Sequence, residues 1–357
     1  MIHDIIFLIL GLVLLVFGAN YVTDGAVAVA RRFKVSNLMI GLTVVALGST
    51  LPDIGVCVES AFKDKPALAM GEVIGANIFD LLLVVGIMGI VRPMKVSRLM
   101  RRQDLPILFI ASAALWIAGD SILFDSAAHN VINRSSGLML IVIFVFYMWF
   151  MILTTGKAGN PDDEDEGDAS DTSSQAADKT ENTGIVAAHG ARAELCILKS
   201  KLSELRGKQW FSWILIVAGL AALVVGGNWV VDGASGLALK IGMSQAMVAL
   251  TVVAIGNALP DLVTSVTATV KGASGLALGN IVGSCVINAL LTIGLSSLVI
   301  PLRADSIGFV DFITLVGAAA LLWIVPNLVK SKSIGRVFGI ILALLYVAYM
   351  VFTVVRG

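Results

Sequence analysis

Charge is scarce in this chain. Asp, Glu, Lys and Arg make up 14% of its 357 residues, and 25 basic side chains balance 25 acidic ones. A soluble domain carries roughly 25% charged residues, so this one lacks the polar surface that water requires. The formal net charge is zero, so no nucleic-acid partner is implied. Cysteine is nearly absent. Cys57, Cys196 and Cys285 are too few and too dispersed for a disulfide framework or a close metal-ligand set. Cys57 and Cys285 read as small buried apolar residues. The three histidines, His3, His129 and His189, fall in termini or loops and support no site. The opening stretch MIHDIIFLIL has neither a basic start nor a small-residue cleavage site, so it reads as a retained membrane helix rather than a signal peptide.

What the chain has in quantity is apolar sequence: 57% of residues are hydrophobic and the mean hydropathy is +0.92. Apolar runs long enough to span a bilayer as helices recur between Gly, Pro and basic clusters. Their spacing predicts an all-α polytopic membrane protein. Its ten helices lie near 3–30, 36–62, 66–91, 104–126, 131–156, 211–239, 243–270, 274–300, 306–328 and 334–355. Between the fifth and sixth, GKAGNPDDEDEGDASDTSSQAADKTENTG is acidic, polar and almost free of aromatics, which predicts a flexible linker. Read as a calcium loop starting at Asp162, it would put Gly167 at the sixth position but Ser173 at the twelfth, where Glu is needed. The next segment, AELCILKSKLSELRGKQW, has helically spaced leucines between basic residues and would lie on the membrane surface. The organisation is therefore a first unit at 1–156, a linker at 157–209 and a second unit at 210–357.

The two units repeat one another. With a constant offset of 208 and no gap, 36–93 meets 244–301, and 22 of 58 positions are identical. GANYVTDGA at Gly18–Ala26 likewise meets GGNWVVDGA at Gly226–Ala234. Five helices per unit is an odd number, so the second unit enters the membrane from the opposite side. Inverted repeats of this kind characterise secondary transporters with a site near the midplane. Counting Lys and Arg in short loops and near helix ends gives 17 on one side and 6 on the other. The positive-inside rule then puts both termini outside and the linker in the cytoplasm.

GLTVVALGSTLPD (Gly41–Asp53) and ALTVVAIGNALPD (Ala249–Asp261) each end in an aspartate inside an apolar run. An ionised carboxylate in hydrocarbon costs several kcal/mol or more unless it is compensated. No Lys or Arg lies in the same helix near either acid, which leaves a bound cation as the counter-charge. Pro52 and Pro260 crowd the carbonyls of Gly48 and Gly256. Unwound turns are expected there, offering backbone oxygens near Ala46 and Ala254 beside the side-chain oxygens of Ser49, Thr50 and Asn257. Ca²⁺ and Na⁺ favour such all-oxygen shells. In GEVIGANIFD, Glu72, Ala76 and Asp80 share one helix face, and Asn280, Ser284 and Asn288 share the matching face. Glycines at 71, 75, 279 and 283 form small-xxx-small packing patterns. Asp24 and Asp232, near helix ends, read as interfacial or capping residues.

These four blocks, Gly48–Asp53, Gly256–Asp261, Gly71–Asp80 and Gly279–Asn288, resemble the α-repeats of the cation/calcium exchanger superfamily, in particular prokaryotic sodium/calcium exchangers. The resemblance covers nearly the whole chain outside the linker. It implies Na⁺/Ca²⁺ antiport by alternating access, with helices 1 and 6 sliding past a fixed core. It also implies no cofactor beyond the transported ions, and a monomer in the plasma or inner membrane. By motif position it casts Asp53 and Asp261 as central Ca²⁺/Na⁺ ligands. Ser49, Asn257 and the carbonyls of Ala46 and Ala254 would complete the shells. Thr50 and Ser284 would serve flanking sodium sites, while Asp80 and Asn288 line the middle. The chain departs from the family pattern in several places: Asp stands for Glu in both repeats, Asn257-Ala258 for Thr-Ser, Ala76 for Ser and Glu72 for Asn. An H⁺- or K⁺-linked exchanger of Ca²⁺ or another divalent ion is the alternative within the same fold. Channels build polar pores from rings in oligomers rather than from an internal inverted repeat. An intramembrane aspartic protease would need a dyad motif that accompanies neither Asp53 nor Asp261, so the chain does not read as an enzyme.

Overall fold

The computed structural model describes residues 2–33, 35–62, 66–119, 131–155, 209–240, 254–303, 308–329 and 332–356. The expected linker and its amphipathic segment lie outside these residues. Among the described residues there are ten helices. They are α1 (Ile2–Phe33), α2 (37–62), α3 (66–91), α4 (100–119), α5 (Arg134–Thr155), α6 (Gln209–Lys240), α7 (Ala254–Val270), α8 (Ser274–Val299), α9 (Phe309–Leu328) and α10 (Arg336–Arg356). Eight are long and apolar enough to cross a membrane. The other two, α4 and α7, border stretches at 120–130 and 241–253 that are not described. The bundle is therefore the polytopic all-α protein that hydropathy predicts.

The helices form for ordinary local reasons. Ser36 caps α2 by accepting the Met39 N–H at 3.2 Å. At the start of α9 the Gly308 N–H donates to Asp311 Oδ2 at 2.8 Å, half of a capping box. The outer helices expose their apolar side chains: Phe17 on α1, Phe146 on α5, Val217 on α6 and Leu344 on α10 are all more than half exposed. In a bilayer that exposure faces lipid, and polar residues turn inward instead.

Helices α1 and α6 are each 32 residues, about 48 Å long, well above the hydrocarbon thickness. They cross antiparallel along a stripe of glycines spaced by seven: Gly11, Gly18 and Gly25 on α1, Gly219, Gly226 and Gly233 on α6. A Cβ on Gly11 would come 2.7 Å from the Gly226 carbonyl oxygen, and one on Gly18 would come 2.8 Å from that of Gly219. In lipid, where burial of apolar surface gives little net force between helices, such backbone proximity is what holds two helices together. The three glycines of one helix sit 208 positions from the three of the other, so one repeated feature supplies both faces.

The halves interlock in the same reciprocal way elsewhere. A Cβ on Gly86 of α3 would come 2.9 Å from the Gly339 oxygen of α10, and one on Gly294 of α8 would come 3.1 Å from the Gly137 oxygen of α5. Two short antiparallel ladders repeat the exchange. β1 (Met94–Lys95) pairs with β4 (Ser333–Ile334), and β2 (Val131–Ile132) pairs with β3 (Leu302–Arg303). Met94 is to Ile334 as Leu302 is to Ile132. Each ladder maps onto the other with the halves swapped, as a pseudo-two-fold axis in the membrane plane demands. Hydropathy cannot show such two-residue strands, and they were not expected.

The core helices depart from regular α geometry in one respect. Wider π turns occur at Gly41–Val45 in α2, Phe79–Val84 in α3, Met100–Asp104 in α4 and Asn288–Thr292 in α8. Those in α3 and α8 coincide with Asp80 and Asn288, positions related by the repeat. Such bulges cluster at functional sites because they re-aim side chains and free a backbone carbonyl.

Candidate cation site

Four helices supply the polar residues: α2 and α3 from the first half, α7 and α8 from the second. Asp53, Asp261, Asp80, Asn288, Asn280, Ser49, Thr50 and Ser284 are all buried. Asn288 Nδ2 donates to Asp53 Oδ2 at 3.0 Å, and Asn280 Nδ2 donates to Asp261 Oδ1 at 3.0 Å. Asp80 lies within hydrogen-bonding reach of Asp261, and Ser284 Oγ donates to Asp80 Oδ2 at 3.3 Å. The carboxylates of Asp53, Asp80 and Asp261 are close enough to repel one another electrostatically. Among the described residues the Lys–Asp ion pairs are Lys240–Asp4 and Lys271–Asp24, and none reaches these three acids. One oxygen of Asp80 is buried with no hydrogen-bond partner. A buried cluster of acids, amides and hydroxyls without a basic partner is an oxygen shell suited to a hard cation.

The sequence-derived residues fare differently one by one. Asp53, Asp261, Asp80, Asn288, Ser49 and Ser284 come together as expected. Ser49 Oγ donates to the Ala46 carbonyl at 3.1 Å and reaches Asn280 Oδ1 at 3.4 Å. Thr50 turns back on its own helix, donating to the Ala46 and Leu47 carbonyls at 2.9 and 3.2 Å. The Ala46 carbonyl therefore faces two hydroxyls. Glu72 on α3 is half-buried and takes a contact at 3.7 Å from the thiol of Cys57, which lies one turn beyond Asp53 on α2. The side chains of Asn257 and Ala254 lie outside the described residues.

The expected unwinding at the prolines does not occur. Ala46–Phe62 and Ala254–Val270 are α-helices with Pro52 and Pro260 inside them. The opening in α2 lies instead at the π turn before Ala46. Loss of one N–H removes a single ladder bond, to the carbonyl four residues back, and the helix continues on the bonds that remain. The sequence reading also undervalued Asn280 and Ser265. Asn280 bridges Asp261 and Ser265 Oγ, the latter at 3.2 Å. The signal was present, since Asn280 shares a face with Ser284 and Asn288, and Ser265 lies four residues after Asp261. Of the two readings of Asp24, capping fails because it lies inside α1 rather than at its end; it is instead held at 2.8 Å, in an exposed pair, by Lys271 in the turn between α7 and α8. Of the small-residue patterns, Gly279 and Gly283 do pack closely, against Leu38 and Leu42 of α2, whereas a Cβ on Gly71 or Gly75 would meet nothing within 4 Å among the described residues.

An inverted repeat whose halves jointly enclose a buried oxygen cluster defines a membrane cation transporter, a protein that binds and moves ions rather than one that catalyses a covalent reaction. Comparison with known proteins agrees. The family described as sodium/calcium exchanger protein matches residues 3–153 and 211–355, and the chain belongs to that family. It is 28% identical over 337 residues to the inner membrane protein YrbG of Escherichia coli (strain K12), covering 94% of this chain and 92% of that one. It is 26% identical over 349 residues to the sodium/calcium exchanger MaX1 of Methanosarcina acetivorans, covering 98% and 97%. Solved structures of the sodium-calcium exchanger NCX_Mj superpose with a TM-score of 0.75 at 27% identity, covering 98% of both chains.

Proposed function

We propose that the protein is a secondary antiporter that exchanges Na⁺ for Ca²⁺ by alternating access, with Asp53 and Asp261 as the paired ligands at the membrane midplane. The observation that carries this reading is the pairing of each acid with an amide, Asp53 with Asn288 and Asp261 with Asn280, with no Lys or Arg among the described residues in an ion pair with either acid. Two negative charges from opposite halves match one divalent ion or two monovalent ions, which is the condition for the ions to compete. Ser49, Thr50, Ser284, Asp80, Asn288, Asn257 and the carbonyls of Ala46 and Ala254 would complete the shells. The names of MaX1 and NCX_Mj support the choice of ions. Helices α1 and α6 would slide past a fixed core built from both repeats, 1–156 and 210–357, with 157–209 in the cytoplasm, both termini outside and the protein acting as a monomer in the cell membrane.

The test is ⁴⁵Ca²⁺ uptake into proteoliposomes under imposed Na⁺, K⁺ or H⁺ gradients. Uptake driven by an outward Na⁺ gradient is expected. Uptake that follows only the H⁺ or K⁺ gradient would replace sodium as the coupling ion while leaving the site intact.

A further inference from the structure

The pseudo-two-fold makes one asymmetry of the site visible. In the second half, Asp261 of α7, Ser265 one turn further along it, and Asn280 of α8 form a bonded trio. The Asn280 amide donates to Asp261 Oδ1 at 3.0 Å and to Ser265 Oγ at 3.2 Å. Subtracting 208 gives the matching trio in the first half: Asp53, Cys57 and Glu72. The contact between its second and third members is kept. Cys57 is fully buried and its thiol points at Glu72 Oε2, 3.7 Å away, and at the Ala69 carbonyl, 3.6 Å away. The chemistry is reversed, however. An amide donates a neutral hydrogen bond to its aspartate, whereas a carboxylate at that position adds negative charge, and the Glu72 and Asp53 charges repel.

We infer that Glu72 is a specificity-determining residue, which raises the charge of the first-half side of the site and so favours a divalent over a monovalent cation there. This inference rests on Asp53 lying in the transport site. The physics is that of charge scaling. An added negative charge at a given distance attracts Ca²⁺ with twice the energy with which it attracts Na⁺. Binding constants depend exponentially on that energy, so the effect on Ca²⁺ is the square of the effect on Na⁺. Glu72 lies toward the membrane face where α2 and α3 are joined, at residues 62–66. Asn280 lies toward the opposite face, where α7 and α8 are joined, at 270–274. One face thus approaches the aspartate pair past an acid and the other past an amide.

The experiment measures half-saturating Ca²⁺ and half-inhibitory Na⁺ in ⁴⁵Ca²⁺ flux for the wild type, Glu72→Gln, Glu72→Asp and Asp53→Asn. Glu72→Gln is expected to weaken Na⁺ by about 3-fold and Ca²⁺ by about 10-fold, the square. Glu72→Asp, which keeps the charge, should stay within about 2-fold of wild type for both ions. A change in Glu72→Gln that is absent, or equal for the two ions, overturns the inference, as does an Asp variant as impaired as the Gln variant. Asp53→Asn separates the two levels of the argument. If it is inactive and Glu72→Gln is unchanged, only the role of Glu72 falls; if it transports normally, the site itself has been misplaced.

Discussion

Asn288 on α8 donates to Asp53 on α2 across 3.0 Å, although 235 residues separate them. The residue equivalent to Asn288 in the first half is Asp80, and it lies against Asp261, the equivalent of Asp53. Asp53 is therefore positioned by the opposite half, whereas Asp261 takes its hydrogen bond from Asn280 of its own half and has Asp80 of the other half beside it. The buried polar cluster thus draws residues from both halves, and the ion shell proposed above would form where they meet.

That reciprocity ranks the polar residues. Asp80 and Asn288 are interchangeable in position, and one of them is already an amide. Asp80→Asn should therefore retain ⁴⁵Ca²⁺ transport with a change of less than about 10-fold, the scale of one hydrogen bond in a buried network. Asn288→Leu removes the donor to Asp53 and leaves a buried acceptor unsatisfied. It should weaken Ca²⁺ by about 10-fold, from the 1–3 kcal/mol such an orphaned group costs.

Gly18 offers a test of the α1–α6 contact. A methyl group there would meet the Gly219 backbone oxygen at 2.8 Å, and backbone cannot rotate away. Gly18→Ala should lower thermal stability in detergent by about 1–3 kcal/mol, the cost of overpacking. Gly317→Ala, with no neighbour within 4 Å among the described residues, should leave the melting temperature close to that of the wild type.

The Asp24–Lys271 ion pair ties α1 to the turn between α7 and α8. Both side chains are about one-third exposed, so screening limits the pair to about 1 kcal/mol or less. A double-mutant cycle with Asp24→Asn and Lys271→Gln should give a coupling energy of that size that shrinks as salt rises. Coupling that is insensitive to salt would show that the pair is not electrostatic.

Much of this was legible in the sequence because lipid imposes so few solutions. Ten apolar runs, an offset of 208 and two aspartates within apolar runs lead to an inverted bundle with a midplane site. The structure brings Asp53, Asp261, Asp80 and Asn288 together in one buried cluster. Other features were hidden for physical reasons. A π turn changes hydrogen bonding by one residue without changing hydropathy, so those at Asp80 and Asn288 leave no periodic trace. Pro52 suggested an opened helix, but its missing N–H costs only one ladder bond and the helix continues through it. The partnership of Cys57 with Glu72, and of Ser265 with Asn280, depends on how two helices cross, which spacing along one helix cannot reveal.

The most direct test of paired aspartates holding one cation is equilibrium ⁴⁵Ca²⁺ binding to the purified protein in detergent, with Na⁺ as competitor. The wild type should show saturable binding that Na⁺ displaces. Removing one member of a buried charge set costs about 3–5 kcal/mol, so Asp53→Asn and Asp261→Asn should each weaken binding by about 100-fold or more. Binding at wild-type affinity in either single variant would contradict the account.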